Sequence, residues 1–283
     1  MSLRQDTKPI LPATVDLFLF SGQSNMAGRG VTSPKWPQPA PIPIAQAGYE
    51  YRAVSAPHCL SPLGEPFGRL ENKADGIDDG AMKTGSLVTA FVNTYYQCTK
   101  TPIVGISASK GGSSILQWQP GSPFLEDAKS RLAEGGAFLK EQGICIRHTY
   151  LLWCQGETDG DHGMPPRQYR ISFERMLSEL KAAGVETCFL IRIGCYNGKE
   201  PISYEDLIRE QTVTAQEHPD VVMVSLDFCS MRERGLMKDA FHYYQAAYNE
   251  VGIQAGIHAA SYVNTGMEPS MFDPYSHSLY LGK

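Results

Sequence analysis

The 283-residue sequence contains no run of about 18 uninterrupted apolar residues, the least that a membrane-spanning helix requires, so no membrane partner is expected. It has no Lys/Arg cluster, and 25 basic against 30 acidic residues leave a formal charge of −5. A polyanion is held by a basic surface, so no nucleic-acid partner is expected either. No CxxC, HExxH, internal repeat or low-complexity tract occurs, and DGDH at 159 to 162 reads as a solvated turn rather than a metal site. No metal or organic cofactor is therefore expected. The seven cysteines make an odd count, which excludes complete pairing within the chain. Cys98, Cys145, Cys154, Cys188, Cys195 and Cys229 lie in or beside apolar segments and read as reduced core residues, as a reducing compartment would allow. The N-terminal stretch MSLRQDTKPILPATVDLFLF shows no separate apolar block followed by a cleavage site, which predicts a cytoplasmic rather than a secreted protein.

What is present is a rhythm. With 42% hydrophobic and 19% charged residues the chain can bury a sizeable core, and residues 1–283 read as a single domain. Five short runs are apolar nearly throughout: 15–20, 102–107, 149–154, 187–194 and 221–228. Strands of that kind are buried on both faces, as in a parallel sheet covered by helices. Helical spacing fills the intervals at about 84–98, 124–142, 166–183 and 204–217, with a last segment near 243–263. The alternation predicts a three-layer α/β/α sandwich on a five-stranded parallel sheet, with its ligand site outside the carboxyl ends of the strands. Residues 30 to 80, rich in Pro and Gly, break the rhythm and read as a long irregular insertion on that same side, either shaping the cleft or only structural.

Four blocks fall at strand ends. In SGQSNMAGRG, Ser24 follows the first strand between glycines that permit a tight turn, with Gln23 and Asn25 as supporting neighbours. Alone, this serine reads more readily as a helix cap, and Met26 in place of a second glycine separates it from the GxSxG elbow. In KDAFHYYQAAY, Asp239 stands three residues before His242, just ahead of a helix; on one turn the carboxylate could orient the imidazole, though a cap and a surface histidine would look the same. In LLWCQGETDG, Gln155 brings an amide to the predicted edge, suited to stabilising an oxyanion. In ISASKGGSSILQW, Gly111 or Gly112 could offer a bare N–H, or simply make a turn. Separately each block is weak; their convergence on one edge of one sheet is what points to acyl transfer.

Taken together, GQSNMAGRG, GGSSI followed by QW, WCQGETD and DAFH resemble the block motifs of the SGNH/GDSL hydrolases, in the branch of carbohydrate esterase family six and the sialate O-acetylesterases. The resemblance spans residues 17 to about 252. It implies a flavodoxin-like fold and hydrolysis of O-acetyl esters on carbohydrates, with Ser24 as nucleophile, His242 as base and Asp239 as supporting acid. It also implies an oxyanion hole of the Ser24 N–H, the Gly112 N–H (Gly111 as alternative) and Gln155, which replaces the usual Asn. Glu157 belongs to the signature, as an orienting residue or a rival to Asp239. Phe241 and Tyr243 stand where many relatives carry Leu. The partner implied is an acetylated carbohydrate, for which Trp36, Trp118, Tyr196 and Tyr204 are candidate stacking faces.

Overall fold

Along the first strand, β1 (Thr14–Gly22), successive side chains enter two different cores. In the computed structural model, which describes residues 11–283, Val15, Leu17 and Leu19 join one apolar cluster, while Phe18 and Phe20 join the other. This is the period-two geometry of a strand covered on both faces, and it is why the run reads apolar throughout. Phe18 sits at the centre of its cluster, with its ring 5.1 Å from Tyr150, 5.3 Å from Tyr95 and 5.4 Å from Phe91. Burying one such side chain stabilises the fold by roughly 1.5–3 kcal/mol.

The remaining elements follow the predicted alternation. After α1 (Ser24–Ala27) come β2 (Gly48–Tyr51), β3 (Leu60–Pro62), α2 (Val88–Thr99), β4 (Ile103–Ser109), α3 (Pro123–Glu141) and β5 (Cys145–Cys154). Then follow α4 (Glu157–Asp161), α5 (Pro166–Ala182), β6 (Thr187–Ile191), α6 (Glu205–Glu217), β7 (Val221–Ser225), α7 (Gln245–Thr265) and a terminal hairpin of β8 (Met271–Asp273) and β9 (Ser278–Tyr280). Helices α2 and α7 cover the Phe18 face through Phe91, Tyr95, Tyr248 and Val251. Helices α3, α5 and α6 cover the other through Leu125, Leu132, Phe173, Leu177 and Leu207. The fold is therefore a three-layer α/β/α sandwich.

Its sheet has seven strands, not five, in the order β3-β2-β4-β1-β5-β6-β7, parallel except for the β2–β3 pair. The two additional strands come from the 30–80 segment, which is thus not wholly irregular: it returns to extend the sheet edge beside β4. Glu50 is buried there, paired with Arg52 at 2.7 Å and accepting the Gly68 N–H at 2.9 Å. Among the described residues no helix is long and apolar enough to cross a membrane. Residues 1–10, part of the stretch read for a signal peptide, lie outside the described residues.

Candidate active site

Strand β1 has β4 on one side and β5 on the other, so the connections leaving these three strands diverge to opposite faces and open a crevice at their carboxyl ends. Ser24, Gly111–Gly112 and Gln155 follow β1, β4 and β5 respectively. Gly22 makes the first of these exits possible: its φ is +137°, and a Cβ there would stand 2.1 Å from the Cys154 carbonyl oxygen. Ser24 opens α1, and the cap position falls to Gln23, whose side chain makes no capping bond. The Ser24 hydroxyl is thus free of the capping role, and its Oγ lies 2.9 Å from His242 Nε2.

His242 Nδ1 lies 3.0 Å from Asp239 Oδ2. The two residues do not sit on a helical turn; they occupy a loop that ends before α7 begins at Gln245. That loop is closed by a Met237–Tyr243 bridge and by the Lys238 N–H donating to the His242 carbonyl at 2.9 Å. Asp239 Oδ1 accepts the N–H groups of Phe241 (2.9 Å) and His242 (2.7 Å), which leaves Oδ2 turned toward the imidazole. Burial alone would raise the Asp239 carboxyl, but these N–H groups and the ring outweigh it and hold it below the usual carboxylate value. Burial lowers the His242 imidazole more strongly than Asp239 raises it, so the ring is kept neutral and able to accept a proton.

A cavity of about 340 Å³ opens over this chain of hydrogen bonds, lined by Gln23, Ser24, Gly112, Thr158, Phe241 and His242, with Arg29, Asp79, Lys110 and Asp161 around it. Arg29 and Asp79 form a two-pronged ion pair at 2.7 and 2.9 Å. Asp79 and Met82 reach the cavity from the end of the 30–80 segment and just beyond it, so this part of the chain shapes the cleft. Gly112 has φ +69° and nothing within 4 Å of where a Cβ would stand, so its backbone faces open space at the cavity wall.

Gln155 does not reach the cavity. It is fully buried beneath it, with Nε2 donating to the Ser113 carbonyl at 2.9 Å and to the Asp159 carboxylate. The expected amide donor at the oxyanion position is therefore turned the other way. Asp159, four residues on, explains the turn: this carboxylate also accepts the Ser114 hydroxyl at 2.5 Å and the Ile115 N–H at 3.0 Å. Gln155 and Asp159 together tie the end of β5 to the Gly111–Ser114 loop. The DGDH segment is accordingly not a solvated turn at its start, for Asp159 and Gly160 are buried. Trp118 closes the same loop, its Nε1 donating to Ser113 Oγ at 2.9 Å.

On the other side of Ser24, Asn25 is fully buried and fully engaged. Its Nδ2 donates to Glu157 Oε1 at 2.5 Å and to the Phe241 carbonyl at 3.1 Å, and its Oδ1 accepts the Tyr248 hydroxyl at 2.6 Å. Glu157 is thereby joined to the residue after Ser24 and to the histidine loop, but not to the histidine. Its Oε2 has no hydrogen-bond partner, and burial pushes its carboxyl up to about 7. Gln23 completes the frame by accepting the Gly156 N–H at 3.1 Å through Oε1.

With this geometry in place, residues 14–260 match the family described as "Carbohydrate esterase, sialic acid-specific acetylesterase". The chain belongs to that family. No curated protein sequence matches it. Among solved structures it is similar to an Arabidopsis thaliana protein at TM-score 0.65 and 21% identity, covering 90% of this chain and 99% of that one. It is also similar to NanS, at TM-score 0.59 and 15% identity over 91% and 99% of the two chains. A carbohydrate acetylesterase from Xanthomonas citri follows at TM-score 0.55 and 17% identity, covering 91% of this chain and 60% of that one. At such identities the structures establish the fold, and the family places the chain among carboxylic ester hydrolases.

The family's sequence blocks now have physical readings. In GQSNM, the glycine clears Cys154, the glutamine holds the β5 exit, the asparagine braces the histidine loop and Met26 is buried in the Phe18 cluster. The candidate stacking aromatics do not line the cavity. Trp118 and Tyr204 are buried, Tyr196 packs 5.9 Å from Phe241, and Trp36 bonds to the Gly235 carbonyl. The aromatic face at the site is Phe241. The cysteines divide similarly: Cys154, Cys188 and Cys229 are buried, Cys195 is half-buried, and Cys59, Cys98 and Cys145 are exposed. The core placement predicted for Cys98 and Cys145 fails because both stand at the exposed ends of their elements.

Proposed function

We propose that this protein is a serine esterase that removes O-acetyl groups from carbohydrates. The observation that carries the reading is the hydrogen-bonded series Ser24–His242–Asp239, at 2.9 and 3.0 Å, open to the cavity. With its proton on Nδ1 toward Asp239, His242 takes the Ser24 proton through Nε2 as the hydroxyl attacks the ester carbonyl. Asp239 holds the tautomer and stabilises the imidazolium. The imidazolium then protonates the leaving sugar hydroxyl, and the neutral ring activates a water to release acetate. Among the described residues, the Ser24 and Gly112 N–H groups and the Gln23 side-chain amide donate to no protein acceptor, and all three residues line the cavity. They are the donors assigned here to the oxyanion, with Gln23 in the part first expected of Gln155.

The charged and polar groups around the cavity, Arg29, Asp79, Lys110 and Asp161, suit a hydroxylated substrate and a short acyl group better than a long acyl chain. The decisive measurement is acetate release from acetylated xylan and from O-acetylated sialic acid, beside a chain-length series of p-nitrophenyl esters. Activity falling steeply beyond acetate, with release from at least one acetylated sugar, supports the proposal. A preference for long acyl chains would move the protein to the lipid esterases, and binding of acetylated sugar without turnover would make it a non-catalytic relative.

A further inference from the structure

A second cavity, of about 350 Å³, lies outside the proposed active site, in the region beyond β6 and β7. Its wall contains two thiols, Cys195 on the segment leaving β6 and Cys229 on the short 3-10 turn Asp227–Ser230 that follows β7. Cys229 Sγ lies 3.4 Å from the Ile193 carbonyl, two residues before Cys195, which sets the two thiols on one wall of the cavity, and neither is in a disulfide. Cationic groups flank both: the Arg192 guanidinium donates to Cys229 Sγ at 3.5 Å, and Arg232 lines the same cavity. The pair is also asymmetric. Cys195 is half-buried and reached through the cavity, whereas Cys229 is buried behind it and accepts and donates in a fixed network, its Sγ–H directed to the Ile193 carbonyl at 3.4 Å.

An accessible thiol beside cationic side chains, with a second thiol behind it, has the layout of a peroxidatic and a resolving cysteine. We propose that Cys195 and Cys229 form an oxidation site for a small hydroperoxide. The Cys195 thiolate attacks the peroxide oxygen, the O–O bond breaks, and hydroxide (or the alkoxide) leaves with Cys195 as a sulfenic acid. The Cys229 thiol then attacks that sulfur, the S–O bond breaks, water leaves, and a Cys195–Cys229 disulfide remains. The two electrons lost by the thiols are those gained by the peroxide. The neighbouring Cys229 thiol and the two guanidinium groups pull the Cys195 thiol below its ordinary value, which favours the thiolate required by the first step.

The location gives the site a bearing on the esterase. Two residues on from Cys195, Asn197 donates its backbone N–H to the Ala240 carbonyl at 3.0 Å and its side-chain amide to the Asp239 carbonyl at 3.2 Å. The segment that carries Cys195 thus supports the loop that carries Asp239 and His242.

The test is treatment of the full chain with one equivalent of hydrogen peroxide, followed by alkylation, intact-mass measurement and peptide mapping. The expected result is a mass loss of about 2 Da with Cys195 and Cys229 in one linked peptide, while Cys59, Cys98 and Cys145 remain alkylated as internal controls. In Cys229→Ser the reaction should stop at a Cys195 sulfenic acid that dimedone traps, and in Cys195→Ser neither product should form. Near-UV circular dichroism confirms that both variants are folded. Full alkylation of Cys195 after peroxide, or oxidation confined to the three exposed cysteines, overturns the proposal.

Discussion

The polar groups that face the cavity and those that lie beneath it are of similar kinds, yet the fold treats them differently. At the mouth, the Asp239 side chain is 42% exposed and that of His242 21%, and Ser24 is held through a single side-chain hydrogen bond. Beneath, Asn25, Gln155 and Asp159 are fully buried and together bind five segments of the chain. The first set keeps its capacity for new bonds, as a group that must change protonation state requires. The second spends that capacity inside the fold, because a buried polar group left unpaired costs about 1–3 kcal/mol; Gln155 Oε1 is the one atom of the set left without a partner among the described residues. Reactivity and positioning are thus assigned to different residues, often adjacent in sequence, as Ser24 and Asn25 are.

Substitutions can break that division or sharpen it. Ser24→Ala should lower kcat/KM for an acetyl ester by about 10⁴-fold or more and leave the melting temperature unchanged; retained activity would remove Ser24 from the chemistry. Asp239→Asn should reduce kcat by about 10²- to 10⁴-fold through loss of imidazole orientation, again with little change in stability, since the group is half exposed. If Glu157→Gln proves the more damaging to kcat, the assignment of the acid to Asp239 fails.

Gln23→Ala and Gln155→Ala separate the two amides. Removing the cavity-lining donor should cost about 10²-fold in kcat, whereas removing the buried one should act mainly on stability. The opposite pattern in steady-state kinetics and denaturant titration would return the oxyanion role to Gln155. Asp159→Ala strips the partners from Ser114, Ile115 and Gln155 at once and should destabilise the protein by about 3 kcal/mol, measured by urea unfolding. A neutral result would mean that the Gly111–Ser114 loop is held without Asp159, by Trp118 and the Gln155–Ser113 bond.

The last expected effect is a pH slope. Burial raises the Glu157 carboxyl from an ordinary 4.5 to about 7, so between those values the folded protein holds a proton that the unfolded chain has lost. Stability from this group is therefore complete below pH 4.5 and lost as pH rises through about 7. Glu157→Gln should flatten that decline in unfolding free energy. Parallel curves for the two proteins would place the proton elsewhere.

How much of this could be read in the sequence depended on whether a residue's environment is periodic. The five strands β1, β4, β5, β6 and β7 announce themselves because both of their faces are apolar. β2 and β3 do not: each has at most four residues, one of them carries the buried Glu50, and Pro-rich stretches surround them. Ser24, Gly112 and His242 were legible through their placement at strand ends and in recognisable blocks. The direction of the Gln155 amide was not, because it is decided by Asp159, a residue whose own sequence context, Asp-Gly-Asp-His, looks like exposed turn. Nor could the sequence show that the aromatic at the cavity is Phe241, since burial of Trp118 and Tyr204 follows from packing across distant elements.

The loop that carries Asp239 and His242 closes on itself before it meets the rest of the molecule. Asp239 and His242 therefore travel as one cartridge, and any displacement of that cartridge lengthens the gap to Ser24 while leaving the pair intact. Partial loosening of the protein by heat or denaturant should then silence it in a particular manner: Asp239 still orients the imidazole, but Ser24 is out of its reach. The Phe241 carbonyl and Asn25 form one latch of the cartridge, and Asn197 forms the second.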